Sequence, residues 1–244
     1  MTAGVVRFGD TVRRPTGVWT PAVHRLLGHL EAVGFDGAPR VRGIDEAGRE
    51  VLTWIPGEVA HRPFAPSPVG GEGLWRMARL LRGYHDAVAG WRPEGALRWC
   101  AAARTVQPWE VVCHGDVAPW NVVWQGEEPV ALIDWDLAEP GPRIRDVAWL
   151  AWYAVPLSRR WQEAGVAACG DLRVRLAVLC DGYGRFDPGQ VVRALQVLQR
   201  REHRRTARWG VAGREPWASF LGRVPLSAWD DEAAWLAARA PELG

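Results

Sequence analysis

The sequence predicts an α+β chain in two lobes, a small N-terminal antiparallel sheet lobe followed by a larger, mainly helical lobe. Three observations carry this reading. Short strand-like runs separated by tight turns recur in the first 57 residues, on either side of one helical stretch. Apolar stripes at helical spacing dominate most of the remainder. Between them, Val111–Asp136 reads VVCHGDVAPWNVVWQGEEPVALIDWD, two apolar runs joined by the polar turn Gln125–Pro129. We therefore divide the chain into residues 1–57 and 58–244.

Within that central stretch, antiparallel pairing of Val122–Trp124 with Val130–Ile133 brings Asn121, at the start of one strand, next to Asp134, at the end of the other. An amide oxygen beside a carboxylate is a hard-oxygen site suited to Mg2+ on nucleotide phosphates. Asp116 lies on the loop just before, where a carboxylate can orient a hydroxyl nucleophile. The pattern HGD-x4-N followed by I-D-W-D resembles the aminoglycoside phosphotransferase family of small-molecule kinases, relatives of the protein kinases. The resemblance implies a protein-kinase-like fold, with Asp116 catalytic and Asn121 and Asp134 holding Mg2+ and, through it, ATP. It also implies transfer of the ATP γ-phosphoryl group to a hydroxyl of a small molecule, an aminoglycoside or another antibiotic or metabolite. His114 matches a loop brace, and burial in hydrogen bonds suits it better than proton transfer.

Composition is that of a globular protein: of 244 residues, 48% are hydrophobic and 24% charged. The net charge of +2 gives no case for nucleic acid or a membrane as partner. No apolar run is long enough to span a bilayer and the N-terminus has no signal-peptide pattern, so a cytoplasmic location is expected. Cys100, Cys113, Cys169 and Cys180 form no C-x-x-C pair, which argues against zinc and for reduced thiols. All 30 basic residues are arginine. The absence of lysine excludes a Schiff-base or Walker A lysine. The 16 tryptophans read as a compositional bias shared with the missing lysine.

In chain order, Gly4–Phe8 and Thr11–Arg14 read as strands around the turn Gly9-Asp10. The family's first strand and its glycine-rich cover read as shortened or absent. By resemblance, the strand ending V-R-R-P carries the cation that meets the phosphates. Arg13 is the first candidate for that cation and Arg14 the second. Pro21–Gly34 reads as an amphipathic helix with Thr20 as N-cap and core positions Val23, Leu26, Leu27, Leu30 and Val33. The family's helix glutamate has no counterpart near its start, where His24 stands, so the usual ion pair is in question. Arg40–Ile44 and Glu50–Ile55 read as a hairpin turning at Asp45–Arg49. By resemblance, Thr53 and Ile55 flank the lobe connection, where backbone groups meet adenine.

Ala60–Gly73, rich in Pro and Gly, reads as a loop. Leu74–Ala89 reads as a helix on which His85 is a packing histidine. Asp146 reads as the N-cap of a helix running to about Val155, matching a family aspartate that braces the catalytic loop. Asp136, two residues past Asp134, points the same way if the strand stays extended, as an auxiliary metal carboxylate. Helices are expected at Asp171–Gly182, Pro188–Arg208 and Asp230–Ala240. The cluster RREHRRTAR reads as cations at a helix C-terminus rather than a phosphate or nucleic-acid patch. Asp187, Glu202, Asp230 and Glu232 are scattered acids that permit, without indicating, a polycationic acceptor. The competing reading is a nucleotide-binding regulatory pseudokinase without turnover.

Overall fold

A computed structural model describes residues 4–60, 70–163 and 170–244. Cys169 and most of the Ala60–Gly73 loop lie outside the described residues. The first layer is a four-stranded antiparallel sheet in the order β1-β2-β4-β3. It is built from β1 (Val6–Phe8), β2 (Thr11–Arg14), β3 (Val41–Ile44) and β4 (Glu50–Thr53). The β3–β4 turn closes on Asp45, whose carboxylate accepts from the Ala47 and Arg49 amides at 3.0 Å each. Helix α1 (Thr20–Ala32) packs on this sheet through Val23, Leu26, Leu27 and Leu30, all nearly inaccessible. It begins one residue earlier than expected. Trp19 is already helical, and the Thr20 hydroxyl turns back to accept from the Gly17 amide at 2.9 Å, so Thr20 does not cap.

The chain then enters the central hairpin. β5 (Glu58–Val59) pairs with β9 (Val122–Gln125), which pairs with β10 (Glu128–Leu132). Gly57 makes this entry possible. Its φ is +138°, and a Cβ there would stand 2.4 Å from the Trp124 carbonyl oxygen. The hairpin is also tied back to the first layer by the Leu132 amide, which donates to the Gly37 carbonyl at 2.9 Å.

Two small strand pairs lie around the loop that follows β8: β6 (Leu97–Arg98) with β7 (Ala103–Arg104), and β8 (Val111–Cys113) with β11 (Glu139–Gly141). The helical part comprises α2 (Gly71–Ala87), α3 (Ile144–Ala154) and the short α4 (Arg159–Glu163). It continues with α5 (Leu172–Tyr183), α6 (Pro188–Arg205), α7 (Trp217–Arg223) and α8 (Leu226–Leu243). One apolar core runs from α1 through the hairpin to α8. None of the described helices is long and apolar enough to cross a membrane.

Three expectations for the helical part need correction. The helix beginning at Pro188 does not end at its arginines: a π-helical turn, Thr206–Gly210, carries it onward. Its cluster is therefore no C-terminal cation set. Arg201 and Arg205 turn inward to the buried Glu139, which Arg205 grips bidentately at 2.9 and 3.0 Å. Arg145 completes that network from α3. The last helix starts at Leu226, four residues before the expected Asp230, and α7 was not foreseen. The acids suggested as acceptor contacts are committed to the fold. Asp187 forms a capping box with Gln190, and Glu202 pairs with Arg205. Asp230 lies 3.5 Å from His203, and the buried Glu232 accepts from the Arg159 and Arg160 amides at the start of α4.

Candidate active site

The site is assembled on the loop between β8 and β9, and its scaffold is a chain of buried hydrogen bonds. Asp146 accepts from the His114 amide at 2.6 Å and the Gly115 amide at 3.0 Å. It also accepts from His85 Nε2 at 3.1 Å. That bond leaves His85 Nδ1 to accept from the Tyr183 hydroxyl at 2.9 Å. Burial lowers the His85 pKa, so a neutral ring suits both bonds. Burial alone would raise the Asp146 pKa, but the His85 hydrogen bond and nearby positive charge hold it below the usual carboxylate range. Asp146 sits inside the first turn of α3 rather than at its cap. Its carboxylate serves the loop, and no side chain caps the start of α3.

His114 is fixed in the same manner. Its Nε2 donates to the Ile133 carbonyl at 3.0 Å and its Nδ1 accepts from the Asp116 amide at 3.3 Å. Burial lowers its pKa, leaving a neutral brace with both nitrogens occupied. Trp135 packs 4.5 Å from this ring and 4.9 Å from Tyr84, so one tryptophan of the IDWD segment is the floor of the loop. Gly115 takes φ +84°, and a Cβ there would stand 2.1 Å from the Leu137 carbonyl oxygen. Glycine is required where these two loops touch.

On this scaffold the carboxylates converge. The Asn121 side-chain amide donates to both the backbone oxygen and the carboxylate of Asp116, each at 2.8 Å. This leaves the Asn121 side-chain oxygen as its remaining acceptor. The Ile133 amide donates to the Asn121 carbonyl at 2.9 Å, pinning the hairpin ends that carry Asn121 and Asp134. Asp134 adopts φ +65°, ψ +68°, a left-handed conformation that aspartate tolerates better than most residues. A 3-10 turn, Trp135–Leu137, follows it, so Asp136 does not continue an extended strand. It nevertheless meets Asp134 through a shared partner, Arg14. Burial, then the nearby Asp134 charge, pushes the Asp116 pKa up to about 7. Burial also raises Asp136 to about 6, against the pull of Arg14.

The strand pleat separates Arg13 from Arg14. Successive side chains on β2 face opposite sides of the sheet, and only one of the two faces looks toward the hairpin. Arg13 takes the outer face, 3.9 Å from Asp45 and stacked 4.5 Å over Phe8. Arg14 takes the inner face, buried, with Nη2 3.3 Å from Asp134 and 2.5 Å from Asp136. Its Nε lies 3.0 Å from Glu50, its cross-strand partner on β4. Arg13, the first candidate for the cation, is therefore directed away from the site. Thr53 is also committed elsewhere. Its amide donates to the Arg40 carbonyl at 2.9 Å and its hydroxyl accepts from the Arg40 amide at 2.8 Å. Ile55 follows β4 in the connection, half-buried. Glu50 and His24 were missed. No local sequence signal marks them, because the Arg14–Glu50 pairing depends on the β2–β4 register.

The donor set fits a divalent cation. One arginine faces three carboxylates, Glu50, Asp134 and Asp136, so the group carries more negative than positive charge. On the same loop, Trp120 is tilted against Tyr153 at 4.7 Å and stacks with Trp161 at 5.6 Å, an aromatic cluster.

Comparison with known proteins agrees with this geometry. Residues 86–188 match the model of the phosphotransferase enzyme family, APH. The chain is 35% identical over 186 residues to the trifolitoxin immunity protein of Rhizobium leguminosarum bv. trifolii, spanning 74% of this chain and 70% of that protein. The chain belongs to the phosphotransferase enzyme family. The fold of this APH-family chain is likewise shared with solved kinases. An amicoumacin kinase in complex with AMP-PNP, Ca2+ and Ami superposes with TM-score 0.60 at 11% identity, over 98% of this chain and 87% of that one. The Plasmodium vivax ethanolamine kinase gives 0.56 at 9% identity, over 97% and 81%. An aminoglycoside phosphotransferase from Alicyclobacillus acidocaldarius gives 0.53 at 16% identity, over 99% and 91%. The APH-family chain thus has the protein-kinase-like, two-lobed α+β fold expected of it.

Proposed function

We propose that this phosphotransferase moves the γ-phosphoryl group of ATP to a hydroxyl of a small molecule. The observation that carries the proposal is the convergence of Asp116, Asn121, Asp134 and Arg14 where the sheet meets the hairpin. Asp116 orients the acceptor hydroxyl and takes up its proton as the new P–O bond forms. Its raised pKa suits that exchange near neutral pH. The Asn121 oxygen and the Asp134 carboxylate would hold Mg2+, with Asp136 close by, and the ion would supply charge neutralisation at the phosphates. Arg14, rather than Arg13, supplies the protein's own cation toward the phosphates. The remaining work is positioning, by a loop that Asp146, His114 and Gly115 hold rigid.

The acceptor we favour is a hydroxylated antimicrobial or related metabolite. Two relatives support this class: one is named for immunity to trifolitoxin, the other is a kinase bound to Ami. The Trp120–Tyr153–Trp161 cluster offers such a molecule aromatic contacts. A polycationic aminoglycoside fits less well, since Asp187, Glu202, Asp230 and Glu232 are all engaged within the protein.

The test is transfer of labelled γ-phosphate from ATP to a panel of hydroxylated antimicrobials, with Asp116→Asn alongside. Transfer to at least one acceptor, reduced about a hundredfold or more in the variant, supports the enzyme. Nucleotide binding with no transfer to any acceptor supports a regulatory pseudokinase instead. The ion pair between Arg14 and the metal-side carboxylate Asp134 is the observation that keeps that second reading in play.

A further inference from the structure

Resting on the ATP-donor reading, we propose that Glu50 and His24 are positioning residues that aim Arg14 at the nucleotide phosphates. A strand-borne carboxylate thereby takes the place of an acid on α1.

The geometry is a continuous chain of charged contacts from α1 to the metal-side carboxylates. His24 Nε2, in the second turn of α1, donates to Glu50 Oε2 at 2.9 Å. The other Glu50 oxygen, Oε1, meets Arg14 Nε at 3.0 Å. The far end of the same guanidinium reaches Asp134 at 3.3 Å and Asp136 at 2.5 Å. Glu50 is 3% exposed and Arg14 7%, so neither charge is solvated by bulk water. Both Glu50 oxygens are occupied by partners from different elements. The planar guanidinium suits such a relay. Its Nε edge lies in ion-pair contact with Glu50, without a hydrogen bond, while its Nη end reaches Asp134 and Asp136, and a single ammonium has no two such ends.

The arrangement follows from strand register. Arg14 and Glu50 are directly opposite on β2 and β4, so their side chains share the inner face. An acid at the same point of α1 would crowd Glu50 in a buried space. Histidine there donates instead of repelling. The first turn of α1 has no acidic residue, which agrees with an anchor located on β4. On arrival of a nucleotide with its cation, the Nη end exchanges Asp134 and Asp136 for phosphate oxygens, while the Nε end stays on Glu50.

Calorimetric titration of the whole chain with two ligands tests this. One is a non-hydrolysable ATP analogue with Mg2+; the other is adenosine, which has no phosphates. The expected result for Glu50→Gln is about tenfold or greater weakening toward the analogue, with adenosine affinity unchanged. Arg14→Gln shows the same selective loss. The double variant is no weaker than Arg14→Gln alone, because the two residues act through one group. His24→Leu weakens the analogue in the same selective manner, to a smaller extent. Unchanged analogue affinity in Glu50→Gln overturns the inference, and so does equal loss of both ligands, which marks Glu50 as part of the lobe's fold only. Unchanged affinity in His24→Leu removes His24 from the chain. A wild-type protein that binds neither ligand overturns the ATP-donor reading itself, an outcome distinct from the others.

Discussion

Asp116 destabilises the folded protein by being where it is. Its carboxyl has a folded value of about 7 against an ordinary 3.8, so folding favours the neutral acid. As pH rises from about 4 to about 7 the folded state loses stability relative to a neutral side chain, and the deficit is constant above that window. Asp116→Asn is therefore expected to unfold at a higher temperature than wild type at pH 8, by about 1–2 kcal/mol after allowance for solvent screening. The gain should vanish below pH 4. Thermal scans across pH measure this directly, and a gain that is the same at every pH would point to packing instead of charge. The same residue scale shows where sequence reading stops. Asp116, Asn121 and Asp134 are legible because a loop and a hairpin give each a fixed place. Arg13 and Arg14 are neighbours in sequence, and only the pleat of β2 decides which one faces the hairpin. Glu50 was legible as a strand residue, but its pairing with Arg14 depends on a register that no local pattern prints.

At the scale of elements, the loop that carries Asp116 is braced because separate elements reach into it. α2 contributes His85, α3 contributes Asp146, and the turn after β10 contributes Leu137, whose carbonyl needs Gly115 beside it. Gly115→Ala is expected to cost about 2 kcal/mol or more and to impair phosphate transfer, since both positive φ and the close carbonyl oppose a Cβ. Chemical denaturation with a parallel activity assay reads both effects. A second element-scale prediction concerns Glu139 on β11. It is 4% exposed and bound by Arg145, Arg201 and Arg205. Glu139→Ala strands these cations and should destabilise by about 3 kcal/mol or more. A loss below about 1 kcal/mol would show that water or Glu202 compensates. The amphipathic stripes of α1, α2 and α6 were readable from periodicity because their apolar faces meet the core. The inward turn of the arginine cluster was not, because a buried ion network at helical spacing looks in sequence like a solvated face. The start of α8 and all of α7 escaped for a related reason: their tryptophans and alanines lack a clean polar face.

For the whole molecule, the sheet carries Arg14 and Glu50, and the loop and hairpin beside it carry Asp116, Asn121, Asp134 and Asp136. They are joined by a glycine-kinked entry at Gly57 and by the backbone bond from Leu132 to Gly37. Arg14 crosses that seam, tying β2 to the Asp134–Asp136 turn. The fold class was legible at this scale because strands precede helices along the chain, and the shared fold of distant kinases agrees with it. The acceptor was not, since the acids that suggested a polycation are spent on caps and pairs.

The central claim, that Asn121 and Asp134 hold a divalent cation on ATP, is tested most directly by thermal unfolding with and without Mg2+ and ATP, in wild type, Asn121→Ala and Asp134→Ala. Ligand at about 100 times its dissociation constant stabilises by about 2.7 kcal/mol, worth about 5–10 °C for a chain of this size. The predicted result is a shift of that order that requires both Mg2+ and ATP and is lost in each variant. A folded wild type that shows no shift, or a shift that survives in both variants, contradicts it.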